Sequence, residues 1–168
     1  MAYDTSVWQN FFVMTGGAAA ALTGLLFVAM SLHAKAIMSN HFYRNRAIGT
    51  LTSLTSQLLL SGAALLPGQP LWLLGVEVEA AALFFVALLI GQILTRGPEA
   101  PPIAERWTHR LMETVGGTLW LVLFNVAGVS LLLRAGGGLY LLAVVMFFMF
   151  AWNIYIAWIL ITEVSESG

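Results

Sequence analysis

Residues 71–90 read LWLLGVEVEAAALFFVALLI, a run in which only Glu77 and Glu79 are charged and no proline interrupts the chain. A bilayer's hydrocarbon core is about 30 Å thick and takes about 20 apolar residues of helix to cross, because lipid offers an open backbone no hydrogen-bond partners. The stretch therefore predicts a transmembrane helix over about 71–95. The whole chain shares this character. Of its 168 residues, 60% are hydrophobic and 9% charged, whereas an ordinary soluble domain is about 25% charged. One globular core cannot hide that much apolar surface, so most side chains must face lipid or other helices.

Working outward, Pro67-Gly68-Gln69-Pro70 is a tight turn, since its prolines withhold the donors a continuing helix needs. It closes a helix expected over about 47–66. The first helix is expected over about 7–38, with Ser6 and Gln9 spaced as a capping box and Ser39-Asn40 as its stop. On the other side, Pro98, Pro101 and Pro102 lie among charges in a loop, and Pro102 is placed to open a helix over about 103–133. Arg134-Ala135-Gly136-Gly137-Gly138 turns the chain into a last helix over about 139–162. The expectation is an all-α polytopic bundle of five transmembrane helices in a single domain, 1–168, without an internal repeat.

Five crossings put the termini on opposite sides. Of the seven basic residues, Lys35, Arg44, Arg46, Arg96, Arg106 and Arg110 fall on one side and Arg134 alone on the other. That bias predicts the N-terminus outside and the C-terminus in the cytoplasm. Aromatic residues sit at both expected interfaces, Tyr3, Trp8, Trp72 and Tyr140 outside and Phe42, Tyr43, Trp107 and Trp158 inside. Met1 to Ser6 holds no Lys or Arg and so lacks the basic region of a cleavable signal; the first helix is expected to be retained.

A net charge of −1 with seven basic residues excludes a phosphate-binding surface and hence a nucleic-acid partner. Zero cysteines removes disulfides, thiolate metal sites and thiol nucleophiles. No nucleophile elbow, phosphate loop or zinc-protease helix occurs. No catalytic residue, cofactor or metal is assigned.

Glu77 and Glu79 are the sharpest chemical signal. At 1.5 Å per residue they fall roughly 9 and 12 Å along the helix from Leu71, within the outer leaflet. Carboxylates at that depth face a cavity, a partner or a proton path. Two residues apart is about 200° around a helix, so the pair cannot serve one site. A second reading starts the helix near Glu79 and leaves 67–79 as an interfacial segment anchored by Trp72; both readings stand.

Gln57, Asn125 and Asn153 are expected near mid-membrane as interhelical hydrogen-bond formers. In the alternative, they join Thr52, Thr55, Ser56, Thr118 and Ser130 in a narrow polar path toward Glu77. Gly16, Ala20 and Gly24 form a small-residue ladder on the first helix, for packing inside the subunit or for self-association. His33 and His109, with His41, are expected at the cytoplasmic interface against headgroups; a metal or haem held by His33 and His109 is the weak alternative.

Phe11-Phe12-Val13, the run GAAAALTGLLFVA at 17–29 and Ser31 together resemble a group of small bacterial integral membrane proteins of unknown function. The resemblance takes in Leu74-Gly75-Val76-Glu77 and the glycine-rich turn before the last helix. Some members of that group are labelled modulators of a membrane protease. The resemblance implies a bacterial inner membrane and supplies no catalytic residue. Three functions follow as expectations. The first is a homo-oligomeric channel or transporter for protons or small cations, with Glu77 as the titrating or ion-attracting group and the mid-membrane amides lining the way. The second is a non-catalytic partner of a larger membrane complex. The last is a membrane enzyme using Glu77 or Glu79 as general acid on an apolar substrate.

Overall fold

The computed structural model describes residues 2–94 and 107–166; within these, the side chains of 92–93, 107–117 and 163–166 lie outside the described set. A 3-10 turn, Thr5–Trp8, leads into α1 (Gln9–Leu32), α2 (Ala34–Ser39), α3 (His41–Ala64), α4 (Leu71–Leu94), α5 (Trp107–Leu133) and α6 (Gly138–Glu166). Among the described residues there is no strand. Among the described residues, three segments are long and apolar enough to cross a membrane: Thr5–Leu32, Leu71–Gly91 and Gly138–Thr162. Helix α3 matches them in length but carries a polar face, and the apolar part of α5 among the described residues is Thr118–Leu133.

The helix ends differ from the sequence expectation in instructive ways. The stretch 7–38 is divided at His33, whose backbone (φ −112°, ψ 19°) leaves the helix and separates α1 from α2. Asp4 caps the 3-10 turn that leads in, and α1 itself has no side-chain cap, so the Ser6–Gln9 box is not formed. The Ser6 N–H and hydroxyl donate to Asp4 Oδ1 at 3.0 and 2.6 Å, because a carboxylate placed there is the stronger acceptor for orphan donors. Asn40 does stop the first unit, and it also starts the next. Its extended backbone turns the chain and its Oδ1 accepts the Phe42 N–H at 2.8 Å, so α3 begins at His41 instead of near 47. Helix α4 begins at Leu71, with the Pro70 carbonyl accepting from the Leu73 N–H at 2.9 Å. Glu77 and Glu79 are therefore inside the helix, not in an interfacial lead-in. The expected start of the fourth helix near 103 lies outside the described residues. Helix α6 continues past Thr162 to Glu166.

Helix α5 ends with Arg134 in the left-handed region (φ 51°), the Ala135 N–H donating to the Ser130 carbonyl at 3.2 Å and the Ser130 hydroxyl donating to the Ala135 carbonyl. This closes orphan carbonyls as a C-terminal cap does. The N-terminal segment docks on the same turn. The Leu139 N–H donates to the Ala2 carbonyl at 3.2 Å and the Gly137 N–H to the Tyr3 hydroxyl at 2.6 Å. Trp8 packs edge-on against Tyr140 at 4.8 Å, and Phe11 against Phe147 at 5.5 Å.

Helix α1 lies on α3, α4 on α5, and α6 on both α3 and α5. The apolar core joins Phe12, Leu74, Val78, Phe124, Leu131, Leu142 and Met146. Close approach depends on missing side chains. A Cβ at Gly16 would meet Ser61 Cβ at 3.0 Å, and one at Gly75 would meet Leu132 at 2.9 Å. The outside is apolar too: Leu25, Phe27, Leu83, Leu133, Phe147 and Trp158 are all more than half exposed. A surface of that composition belongs in lipid or against another membrane protein.

Candidate functional site

Among the described residues, two polar features interrupt the apolar bundle, on different helix interfaces. The first is on α3. Thr50, Ser53, Gln57 and Ser61 follow each other at intervals of three or four residues, which places them on one face, and all four are buried. That face looks into the junction with α1 and α6. Asn153 of α6 donates through Nδ2 to Ser53 Oγ at 2.8 Å. Thr15 of α1 and Ser61 share a hydrogen bond of 3.1 Å between their hydroxyls, and Thr15 Oγ1 also reaches its own Phe11 carbonyl at 3.0 Å. Thr50 donates to the Arg46 carbonyl at 3.0 Å. Between the two interhelical pairs lies Gln57, 0% exposed, and neither Nε2 nor Oε1 has a hydrogen-bond partner among the described residues. The column runs about 16 Å along α3, more than half of a hydrocarbon core.

The second feature is on α4, where Glu77 and Glu79 diverge as their spacing requires. Glu77 Oε2 accepts from Gln69 Nε2 at 2.7 Å, so the proline-bounded turn folds back onto the helix it precedes. Glu79 leans the other way, onto α5. Its carboxylate fills the notch left by Gly128, where a Cβ would overlap Oε1 and meet Cδ at 2.9 Å. The Val129 backbone lies beside the carboxyl group, and Oε1 is buried without a partner among the described residues.

The path expected toward Glu77 is not assembled as a unit. Gln57 and Asn153 share the α3 column, but Asn125 donates to the Leu121 carbonyl of its own helix at 2.8 Å. Thr55 and Thr118 are exposed, Thr52 and Ser56 are half-buried, and Ser130 is committed to the α5 cap. Gly16 is buried against Ser61, whereas Ala20 and Gly24 are exposed, so the ladder rotates off the intramolecular contact after one step. His33 Nδ1 pairs with the Ala29 carbonyl at 3.2 Å and lines a small cleft with Met30, Ile37 and Leu160. The His109 side chain lies outside the described residues; His41 takes a hydrogen bond from Arg44. Among the described residues no three His, Asp or Glu side chains gather as metal ligands.

Thr15, Thr50, Ser53 and Ser61 are the members of the column that the sequence reading passes over. Their signal is the three-and-four spacing of hydroxyls and an amide along α3. Gly128 carries no such signal, because nothing in the sequence names the side chain that needs its space. Comparison with protein-family models, with curated proteins and with solved structures returned no match.

Proposed function

We propose that the chain is a five-span protein of a bacterial inner membrane, N-terminus outside, that passes protons or small cations as a homo-oligomer, with Glu79 as the exchanging group. The observation that carries this reading is the Glu79 carboxylate, set into the α4/α5 interface with Oε1 buried and unpartnered among the described residues. A carboxyl group at that depth is expensive and is kept where it binds and releases a cation. Glu77, already held by Gln69, takes the lesser role. Glu79 also borders the strip of α4 formed by Val76 and Leu83, both exposed, which supports exchange at a contact between subunits. Helices α1, α3, α4, α5 and α6 are the five spans; even α3, with its polar face, is about 36 Å long at 1.5 Å per residue. Six basic residues against one support the orientation.

Proton and cation flux into proteoliposomes of the purified chain tests the reading. Glu79→Gln abolishes flux, while Glu77→Gln retains most of it. Absence of flux in the unaltered protein removes the function, and unchanged flux in Glu79→Gln removes the assignment. A second reading, a non-catalytic partner or protease modulator in a larger membrane complex, is favoured by one observation. Gly17, Ala20, Ala21 and Gly24 present an exposed small-residue face on α1 that suits a partner helix. Recovery of the protein alone from gentle detergent counts against it.

A further inference from the structure

The α3 column poses a hydrogen-bonding problem that the Glu79 reading does not touch. A side-chain amide has two donor hydrogens and an acceptor oxygen with two lone pairs. Leaving all of them unmade in an apolar interior is among the costliest arrangements a side chain can adopt. Gln57 is 0% exposed and both its polar atoms are unpartnered among the described residues, yet one helical turn to either side the polar groups are paired. Ser53 and Ser61 stand four residues to either side, about 6 Å along the helix. One helical turn is thus close to the span of a water bridge made of two hydrogen bonds, about 5.5 Å end to end.

We propose that Gln57 is the centre of an internal water site, in which one ordered water on each side joins the amide to the Ser53–Asn153 pair and to the Thr15–Ser61 pair. Together they form one hydrogen-bonded file through the α1/α3/α6 junction. The ligand chemistry follows from the donor set. Thr15, Thr50, Ser53, Gln57, Ser61 and Asn153 are all neutral, so a cation here would have no compensating charge, and it would leave the Gln57 NH2 without an acceptor. Water satisfies both ends of the amide because it donates and accepts. The file ends toward Ala64 in apolar packing, where Phe12 and Ala64 are buried in the core, and at the other end with the Ser53–Asn153 pair; Thr50, a turn further on, donates to the Arg46 carbonyl of its own helix. The inference stands apart from the proton or cation exchange assigned to Glu79, which lies on the α4/α5 interface.

Rotating-frame NMR of the full chain in lipid nanodiscs, with Gln side chains labelled, tests it. The expected result is direct cross-relaxation between the Gln57 side-chain amide protons and water, opposite in sign to exchange relayed through hydroxyls. The signal is lost in Gln57→Met and reduced by about half in Ser61→Ala, which removes one bridge and keeps the other. Cross-relaxation to protein protons only, with none to water, overturns the site. A shift of the Gln57 amide resonances on replacing Na+ by choline at constant ionic strength also overturns it, in favour of a bound cation. Because the first measurement uses the unaltered chain, a variant that fails to fold leaves the proposal falsifiable.

Discussion

The carboxylate of Glu79 on α4 occupies the space that Gly128 leaves on α5, where an added Cβ would meet the carboxylate carbon at 2.9 Å. The arrangement predicts an asymmetric response to one methyl group. Gly128→Ala places a Cβ on the carboxylate, so the Glu79 side chain must leave the notch, at a cost of about 1 kcal/mol, the low end for overpacking because the atoms in the way end a flexible side chain. Gly17→Ala, on a helix face with nothing near the added Cβ, gains about 0.5–1 kcal/mol from the better helix former. Thermal unfolding in detergent reads both. In a Glu79→Ala background the cost of Gly128→Ala falls away, and a cycle that shows no such coupling refutes the contact.

The Ser53–Asn153 hydrogen bond ties α3 to α6 at mid-helix. In membrane bundles such bonds average about 0.6 kcal/mol, with a maximum near 1.7. Asn153→Ala is expected to lie toward the upper value, since it strands Ser53 in a buried site. Ser53→Ala costs less. A double-mutant cycle on unfolding free energies giving a coupling indistinguishable from zero would show that the pair contributes nothing to the α3/α6 contact.

What the sequence revealed and what it hid follow from range. Hydrophobic run lengths and the Pro67–Pro70 turn are local signals; they offered Leu71 as one of two starts for α4, the one it takes, and an end within a residue of its described end at Leu94. The divergence of Glu77 and Glu79 was legible for the same reason, because helical geometry alone fixes it. The break at His33 was not, since no proline or glycine marks it and the residues on both sides are ordinary helix formers. Neither was the pairing of Thr15 with Ser61 or of Glu79 with Gly128. Those contacts join residues far apart in the chain, and only packing decides which turn of one helix meets which turn of another. The polar face of α3 lay between these cases, its spacing local and its partners not.

Arg134 holds the left-handed conformation that closes α5, a position where glycine is usual because a Cβ is disfavoured there by about 1 kcal/mol. Arg134→Gly is therefore expected to raise the unfolding free energy by up to about 1 kcal/mol. Arg134→Val, β-branched, is expected to lower it by at least as much. If both variants melt at the parent temperature, the turn is not held in this conformation in solution. In the proposed five-span topology Arg134 is the lone basic residue on its side, so its loss strengthens the charge bias and the orientation of the chain is expected to be unchanged in a labelling assay with single introduced cysteines.

Asp4 governs the entry to α1, and its response to acid has a definite sign. The Ser6 hydroxyl and then the Ser6 N–H donate to the carboxylate and hold its pKa below the usual aspartate range. The folded value thus lies under the unfolded one, about 3.9. The cap is fully present above the unfolded value and is lost as pH falls through the folded one. The group is exposed, so the effect is confined to the first turn and does not unfold the bundle. Amide exchange of Ser6 is expected to accelerate in acid, below the range where free aspartate titrates, while amides in the α1 interior such as that of Ala19 keep their protection. Asp4→Asn retains an accepting oxygen but no titrating proton, so its Ser6 exchange follows only the intrinsic pH dependence. An identical acid response in the parent and in Asp4→Asn would mean that Asp4 does not hold the turn.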